Sequence, residues 1–295
     1  MAFMRRIVLF MAVNLLVVTT ISIVLQLLGV HGYMTARGLD YQALMVFCLV
    51  WGLFGALTSL ALSRIMAKWM MGVRVIDPAQ ATGDAAWLVQ TVHALARAAD
   101  LPEMPEVGIY ASPELNAFAT GPTKSRALVA VSAGLLESMD RRQVEGVLGH
   151  EITHISNGDM VTMTLIQGVV NAFVMFFSRV IGFLVSQQVK EEARRSIQFL
   201  VTIVTQVLFS LLGMIVVASF SRWREYRADA GGARLAGREK MIAALEALGA
   251  SRAPVDTRQA SVAALKISGR RGLLALLSTH PPLEDRIARL NRADY

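Results

Sequence analysis

The sequence predicts an α+β integral membrane protein, mainly α, with four transmembrane helices and a water-soluble domain that is discontinuous in the chain and holds a small β-sheet. Three observations predict it: an excess of apolar residues, four long apolar segments grouped in pairs, and a polar stretch after each pair. Of the 295 residues, 54% are hydrophobic and 17% charged, whereas a soluble domain is about a quarter charged. Mean hydropathy is +0.49. One soluble core does not need that much apolar material, and membrane spans do.

A span takes about 20 apolar residues at 1.5 Å rise each. Residues 1–63 contain two, 7–28 and 41–63, and residues 160–220 contain two more, 160–185 and 197–220. The first, Ile7–Leu28, is too long for a signal peptide and lacks a small-residue cleavage site. Each pair returns the chain to the side it left, so the polar stretches 64–159 and 221–295 share a side and are expected to fold as one domain. Arg5, Arg6, Arg64, Lys68, Arg74, Arg222, Arg224 and Arg227 mark that side as cytoplasmic by the positive-inside rule. The opposite loops carry only Arg37 in one, and Lys190, Arg194 and Arg195 offset by Glu191 and Glu192 in the other.

The net charge of +7 has no basic stripe interleaved with aromatics, so the expected partner is a lipid bilayer and not nucleic acid. No residue pattern specifies an oligomeric state. Cys48, the single cysteine, lies in an apolar run. Disulfides and thiolate metal sites are therefore excluded, and any metal must be held by His and carboxylate.

Within 64–159, Asp84–Ala99 reads as an amphipathic helix with Trp87, Leu88, Val92 and Leu95 on one face, stopped by Pro102 and Pro105. Val107–Tyr110, Ala117–Thr120 and Leu128–Ser132 read as short strands. Asp140 reads as the N-cap of a helix reaching about Ser156, with Asn157-Gly158 ending it.

That helix carries His150-Glu151-Ile152-Thr153-His154. Residues at i and i+4 share a face, so both imidazoles can reach one ion, and Glu151 can address a water on it. Val144, Val147 and Leu148 supply an apolar back. Neutral imidazoles suit Zn²⁺. A hydrolytic zinc site needs a third protein ligand and an open fourth position. With five His in the chain, a carboxylate is the expected third. In Arg222-Trp223-Arg224-Glu225-Tyr226-Arg227-Ala228-Asp229, Glu225 can bind the metal and Asp229, one turn on, can accept from the free nitrogen of a ligating His. The same residues could instead form a solvated charged face.

The implied chemistry is metal-assisted hydrolysis, with Glu151 taking the water proton and passing it to the leaving amine. His280, held in Ser278-Thr279-His280-Pro281-Pro282, and Tyr226 are candidates to stabilise the oxyanion. A structural turn is the other reading of the His280 segment. Arg286 could meet a substrate carboxylate or brace the fold, and bracing is favoured. Leu115-Asn116-Ala117-Phe118-Ala119 could pair with an extended substrate or form an internal strand. His31 and His93 have no expected role.

These segments together resemble the HtpX family of bacterial membrane-bound zinc endopeptidases, distant relatives of the CAAX prenyl proteases. The resemblance covers essentially the whole chain. It rests on Asn116 to Gly121, His150 to His154 with Asn157-Gly158-Asp159-Met160, Glu225 to Asp229, and His280-Pro281-Pro282 with Arg286. It implies a zincin-type, gluzincin-like catalytic domain holding one Zn²⁺ by His150, His154 and Glu225, with Glu151 catalytic. It places the site on the cytoplasmic side of the inner membrane, acting on damaged or misassembled membrane proteins under stress. It raises His280 as a regulatory or transition-state residue, and Asn116 and Phe118 as part of the substrate strand. At Arg227 some family members carry His, and no role is carried over there. Two rivals stand beside it. One is a membrane chaperone or scaffold stapled by structural zinc, which would normally have four protein ligands. The other is a transporter, for which Asn14, Gln26, Gln167, Asn171, Arg179 and Gln206 are too scattered to line a path.

Overall fold

A computed structural model describes residues 15, 17–30, 32–35, 38–250 and 277–292. The first expected span therefore falls largely outside the described residues. So do Arg5, Arg6, Asn14, His31, Arg37 and part of the polar stretch 221–295. The described part of the first span is a short apolar helix, α1 (Val17–Leu27). Three described helices are long and apolar enough to cross a membrane: α2 (Tyr41–Met70), α6 (Asp159–Ser186) and α7 (Glu191–Ala236).

The chain divides into two compact units. One gathers Met1–Ser59 with Thr164–Val217, and the other Leu60–Met163 with Ala218–Tyr295. In the first, small residues bring helix backbones together, as is usual between membrane helices. A Cβ on Gly52 of α2 would lie 2.4 Å from the Gly168 carbonyl of α6, and one on Gly182 of α6 would lie 2.1 Å from Thr202 of α7. Phe199, Leu200, Ile203, Val204, Val207 and Leu208 are left exposed on α7. An apolar stripe of that length is stable only against lipid or another apolar surface. A two-stranded hairpin, β1 (Met34–Thr35) and β2 (Gly38–Leu39), completes the unit.

The second unit is built around a four-stranded sheet, in the order β3 (Arg74–Val75), β4 (Glu106–Tyr110), β6 (Leu128–Ser132) and β5 (Ala117–Thr120). Strands β4 and β6 run parallel, and β5 pairs antiparallel with β6. Period-2 alternation sorts the side chains. Val129 and Val131 join the core with α3 (Gly83–Ala98) and α5 (Arg141–Asn157), while Leu128 and Ala130 pack with Ala67, Met71, Tyr110 and Phe118. With both faces covered, β6 is buried at every position. Strand β5, at the edge, has one side free of strand pairing among the described residues.

Helix α4 (Ala133–Ser138) leads into α5. Asp140 caps α5 through a capping box with Gln143, and Gly158 closes it in the left-handed conformation at φ 70°, where glycine carries no Cβ penalty. Helices α8 (Arg238–Ala250) and α9 (Leu283–Arg292) close the unit, packing Met241 and Leu245 against Leu290, Leu283 and Ile287.

Two boundaries differ from the hydropathy reading. The span ending at Ser63 continues as helix to Met70, and the one ending at Phe220 continues to Ala236. Hydropathy reports the solvent around a helix, not its hydrogen bonding. No proline interrupts either run, so each helix leaves the apolar stretch intact.

Candidate metal centre

Helix α5 is buried continuously from Gly146 to Ile155, so its polar residues must find partners inside the protein. The partners come from α7, which approaches α5 across glycines. A Cβ on Gly231 would lie 2.2 Å from Thr153 Cγ2, one on Gly232 2.9 Å from the His150 amide nitrogen, and one on Gly149 2.9 Å from Ala236 Cβ. This contact row continues the face of α7 that carries Glu225 and Asp229, at helical spacing. Glycine and alanine on both sides let the backbones close until those carboxylates meet the imidazoles.

His150, His154 and Glu225 each offer one ligand atom, all within 4.8 Å of one another. His150 Nε2 and His154 Nε2 are 3.1 Å apart, and they lie 3.4 and 3.3 Å from the two oxygens of Glu225. Tetrahedral donors at about 2.05 Å from an ion stand about 3.3 Å from each other, so these donor spacings fit a zinc-sized cation. Chemistry agrees. Two imidazole nitrogens facing each other cannot both donate, and Glu225 Oε2, though His280 Nδ1 lies 3.0 Å away, is buried with no well-angled hydrogen bond among the described residues. A cation between them satisfies all three.

The surroundings hold the rings. His150 Nδ1 lies 3.0 Å from Asp229 Oδ1, and His154 Nδ1 lies 2.7 Å from Asp159 Oδ2. Each carboxylate fixes the tautomer that turns Nε2 to the centre. The field of the site favours cations. Burial disfavours a charge on His150, yet the Asp229 and Glu225 carboxylates outweigh it and lift its pKa to about 9. Burial likewise pushes the Glu225 carboxyl up, but the imidazoles of His150, His154 and His280 hold it well below 4.5. A metal entering here competes with a proton.

Glu151 is buried beside the first imidazole, 6% exposed. His280 approaches from the turn before α9, with Nδ1 3.0 Å from Glu225 Oε2 and no hydrogen-bond partner among the described residues. Its turn is pinned by Arg222, which donates to the Ser278 carbonyl at 2.8 Å. Tyr226, the other oxyanion candidate, faces Arg289 of α9 at 4.8 Å instead. Asn116, Ala117 and Phe118 are buried at the start of β5. The Asn116 backbone is tied to Ser132 while its Oδ1 has no partner among the described residues. His93 is held by the Pro105 carbonyl at 3.2 Å, away from the centre.

Sequence reasoning gave no role to Asp159. Its signal was its place beside the Gly158 cap, which swings the next side chain back toward the end of α5. Arg286, singled out in the sequence with bracing as the favoured role, is buried at 2% exposure against Asp229, although its spacing alone does not tell it from the solvated arginines of α9.

A helix presenting two imidazoles and an adjacent glutamate to a carboxylate on a second helix defines a metal-dependent hydrolase. The description of Peptidase family M48 matches residues 83–294, and the chain belongs to this family of metallopeptidases. It is 54% identical over 293 residues to a protein named Protease HtpX homolog from Bacillus licheniformis, covering 97% of this chain and 98% of the relative. A Bacillus subtilis protein of the same name is 54% identical over 294 residues with the same coverage. One from Methylacidiphilum infernorum is 50% identical over 298 residues, covering 98% of each. Among solved structures, S. mikatae Ste24p aligns with TM-score 0.57 at 16% identity, over 83% of this chain. This chain spans 58% of that one, and the likeness is one of fold. With its long apolar helices, the chain is a membrane metallopeptidase.

Proposed function

We propose that this chain is a zinc-dependent endopeptidase of a bacterial inner membrane, with its site on the cytoplasmic side, that cleaves damaged or misassembled membrane proteins. The observation that carries the reading is the tetrahedral-edge spacing of His150, His154 and Glu225 across two helices. In this reading those three are the zinc ligands and 64–159 and 221–295 form one catalytic domain. When bound, zinc would polarise the scissile carbonyl and bring a water's pKa toward about 7.

The chain's own residues do the rest. Glu151 receives the proton of the attacking water on its carboxylate and returns it to the leaving nitrogen. Asp229 and Asp159 hold the two imidazoles in register. His280, close to Glu225 and otherwise unpaired at Nδ1, hydrogen-bonds the oxygen on which charge develops, a contact worth about 10²–10³ in rate at comparable sites. The substrate adds to the free edge of β5 as an extended strand, with the Asn116 amide fixing its backbone beside Ala117 and Phe118. The stretches of α2, α6 and α7 with exposed apolar faces keep the chain in the bilayer, where its substrates are. Lys68, Arg222, Arg224 and Arg227, following the spans, orient it.

The scaffold reading is disfavoured by the donor set. Three protein ligands leave a position open, and the sole cysteine sits within α2. The test is Glu151→Gln in the full chain in detergent. It should keep bound zinc and its thermal midpoint, while cleavage of a membrane-protein substrate falls by about 10² or more. Undiminished cleavage sinks the mechanism.

A further inference from the structure

Arg286 is a full positive charge buried in α9 at 2% exposure. Burying a guanidinium is costly unless its donors are matched, and here two of them are matched to one carboxylate. Nε donates to Asp229 Oδ2 at 2.8 Å and Nη2 to Asp229 Oδ1 at 2.5 Å. The same Oδ1 lies 3.0 Å from His150 Nδ1. Nη2 itself is 3.5 Å from that nitrogen and 3.8 Å from Glu225 Oε2. The forked pairing fixes the plane of the carboxylate. With its plane fixed, Asp229 keeps an acceptor site of Oδ1 toward His150 and is restrained from swinging in as a competing ligand.

The arginine also arrives from a separate part of the chain. Residues 251–276 separate α8 from the turn that carries His280, and α9 follows it. Helix α9 rests on α8 and α7 through Leu283, Ile287 and Leu290. His154, Asp159 and Glu225 have no partner from α9 other than the weak approach of Arg286 to Glu225. The Arg286–Asp229 pair is therefore the bond by which the C-terminal helix reaches the metal side of His150.

Resting on the ligand assignment above, we propose that Arg286 is a positioning residue that couples docking of the C-terminal helix α9 to metal occupancy. Docked α9 holds Asp229 on His150 and raises metal affinity; bound metal in turn holds His150 against Asp229 and raises the stability of docked α9. Such coupling is reciprocal by thermodynamic necessity. Outer carboxylates and their partners typically set about 10–100-fold in metal affinity, and that is the expected size.

The experiment uses the full chain in detergent and two readouts. Zinc affinity is measured by competition with a chelator, and amide exchange over 283–292 is measured with and without zinc. In the wild type zinc should slow that exchange. Arg286→Met should bind zinc at least tenfold more weakly, and its α9 exchange should no longer respond to zinc. Asp229→Asn combined with Arg286→Met removes both charges and serves if the single variant misfolds; it should show the same loss of zinc response in α9. A smaller change in affinity, or α9 exchange that zinc slows as in the wild type, overturns the coupling. Glu225→Gln separates this from failure of the ligand assignment. If zinc affinity is indifferent to Glu225, the assignment itself falls; if it depends on Glu225 and not on Arg286, only the coupling falls.

Discussion

Gly231→Ala tests how the site is assembled. The new Cβ would lie 2.2 Å from Thr153 Cγ2 and 3.0 Å from Thr153 Cβ, roughly 1.3 Å inside ordinary carbon contact. Thr153 has little room to turn away, because its Oγ1 donates to the Gly149 carbonyl at 2.8 Å and β-branching restricts its rotamers. The relief must come from separation of α5 and α7. Overpacking of this kind costs about 1–3 kcal/mol, against a helix-propensity gain of about 1 kcal/mol for Gly→Ala, so the strain wins. Separation also widens the 3.4 and 3.3 Å gaps between Glu225 and the imidazoles. If about 1.4 kcal/mol of that strain is expressed at the site, zinc binds tenfold more weakly. Chelator competition and thermal unfolding in detergent read the two effects. Adding Thr153→Ala, which removes the 2.2 Å contact, should recover most of both. A Gly231→Ala variant that binds zinc as tightly as the wild type and melts no lower refutes the close-packing account.

Asp159→Asn keeps the shape but weakens the acceptor on His154 Nδ1, so zinc affinity should fall about 10–100-fold with little change in the thermal midpoint. Partial burial raises the Glu106 carboxyl, but Lys68 and Arg64 outweigh it and hold its pKa below 4.5. Its contribution is present above the unfolded value and disappears as pH falls through the lower folded one. Glu106→Gln should accordingly lose about 0.5–1 kcal/mol at pH 7, and the difference from wild type should shrink in unfolding measurements as pH falls below 4.5 and through the lowered folded value.

The HExxH helix was legible because its chemistry fixes its spacing: an i, i+4 imidazole pair has one helical geometry, and Asp140 and Gly158 mark both ends. Strands β4, β5 and β6 were legible as short apolar runs between turn residues, whereas the two-residue strands β1, β2 and β3 are too short to leave a pattern. The reach of α7 was not, since apolar and charged halves of one helix look like two elements when read by hydropathy. Helix α8 hides because its buried face is built from Ala244, Met241 and Leu245 beside further alanines, which gives little contrast. In α9, Leu283, Ile287 and Leu290 stand among charges, and nothing local marks Arg286 as the buried one. Its partner lies 57 residues away in sequence. What the sequence hides at this site is therefore tertiary: which glycines touch, and which charge faces inward.

Zinc K-edge X-ray absorption on the purified full chain tests the metal centre most directly. One zinc per chain, with two imidazoles and a carboxylate oxygen at about 2.0–2.2 Å, is the expected spectrum, and Glu225→Gln should weaken retention while leaving imidazole scattering in whatever zinc remains. A first shell without histidine, or an unchanged spectrum and occupancy in His150→Ala with His154→Ala, would contradict a metal held between α5 and α7.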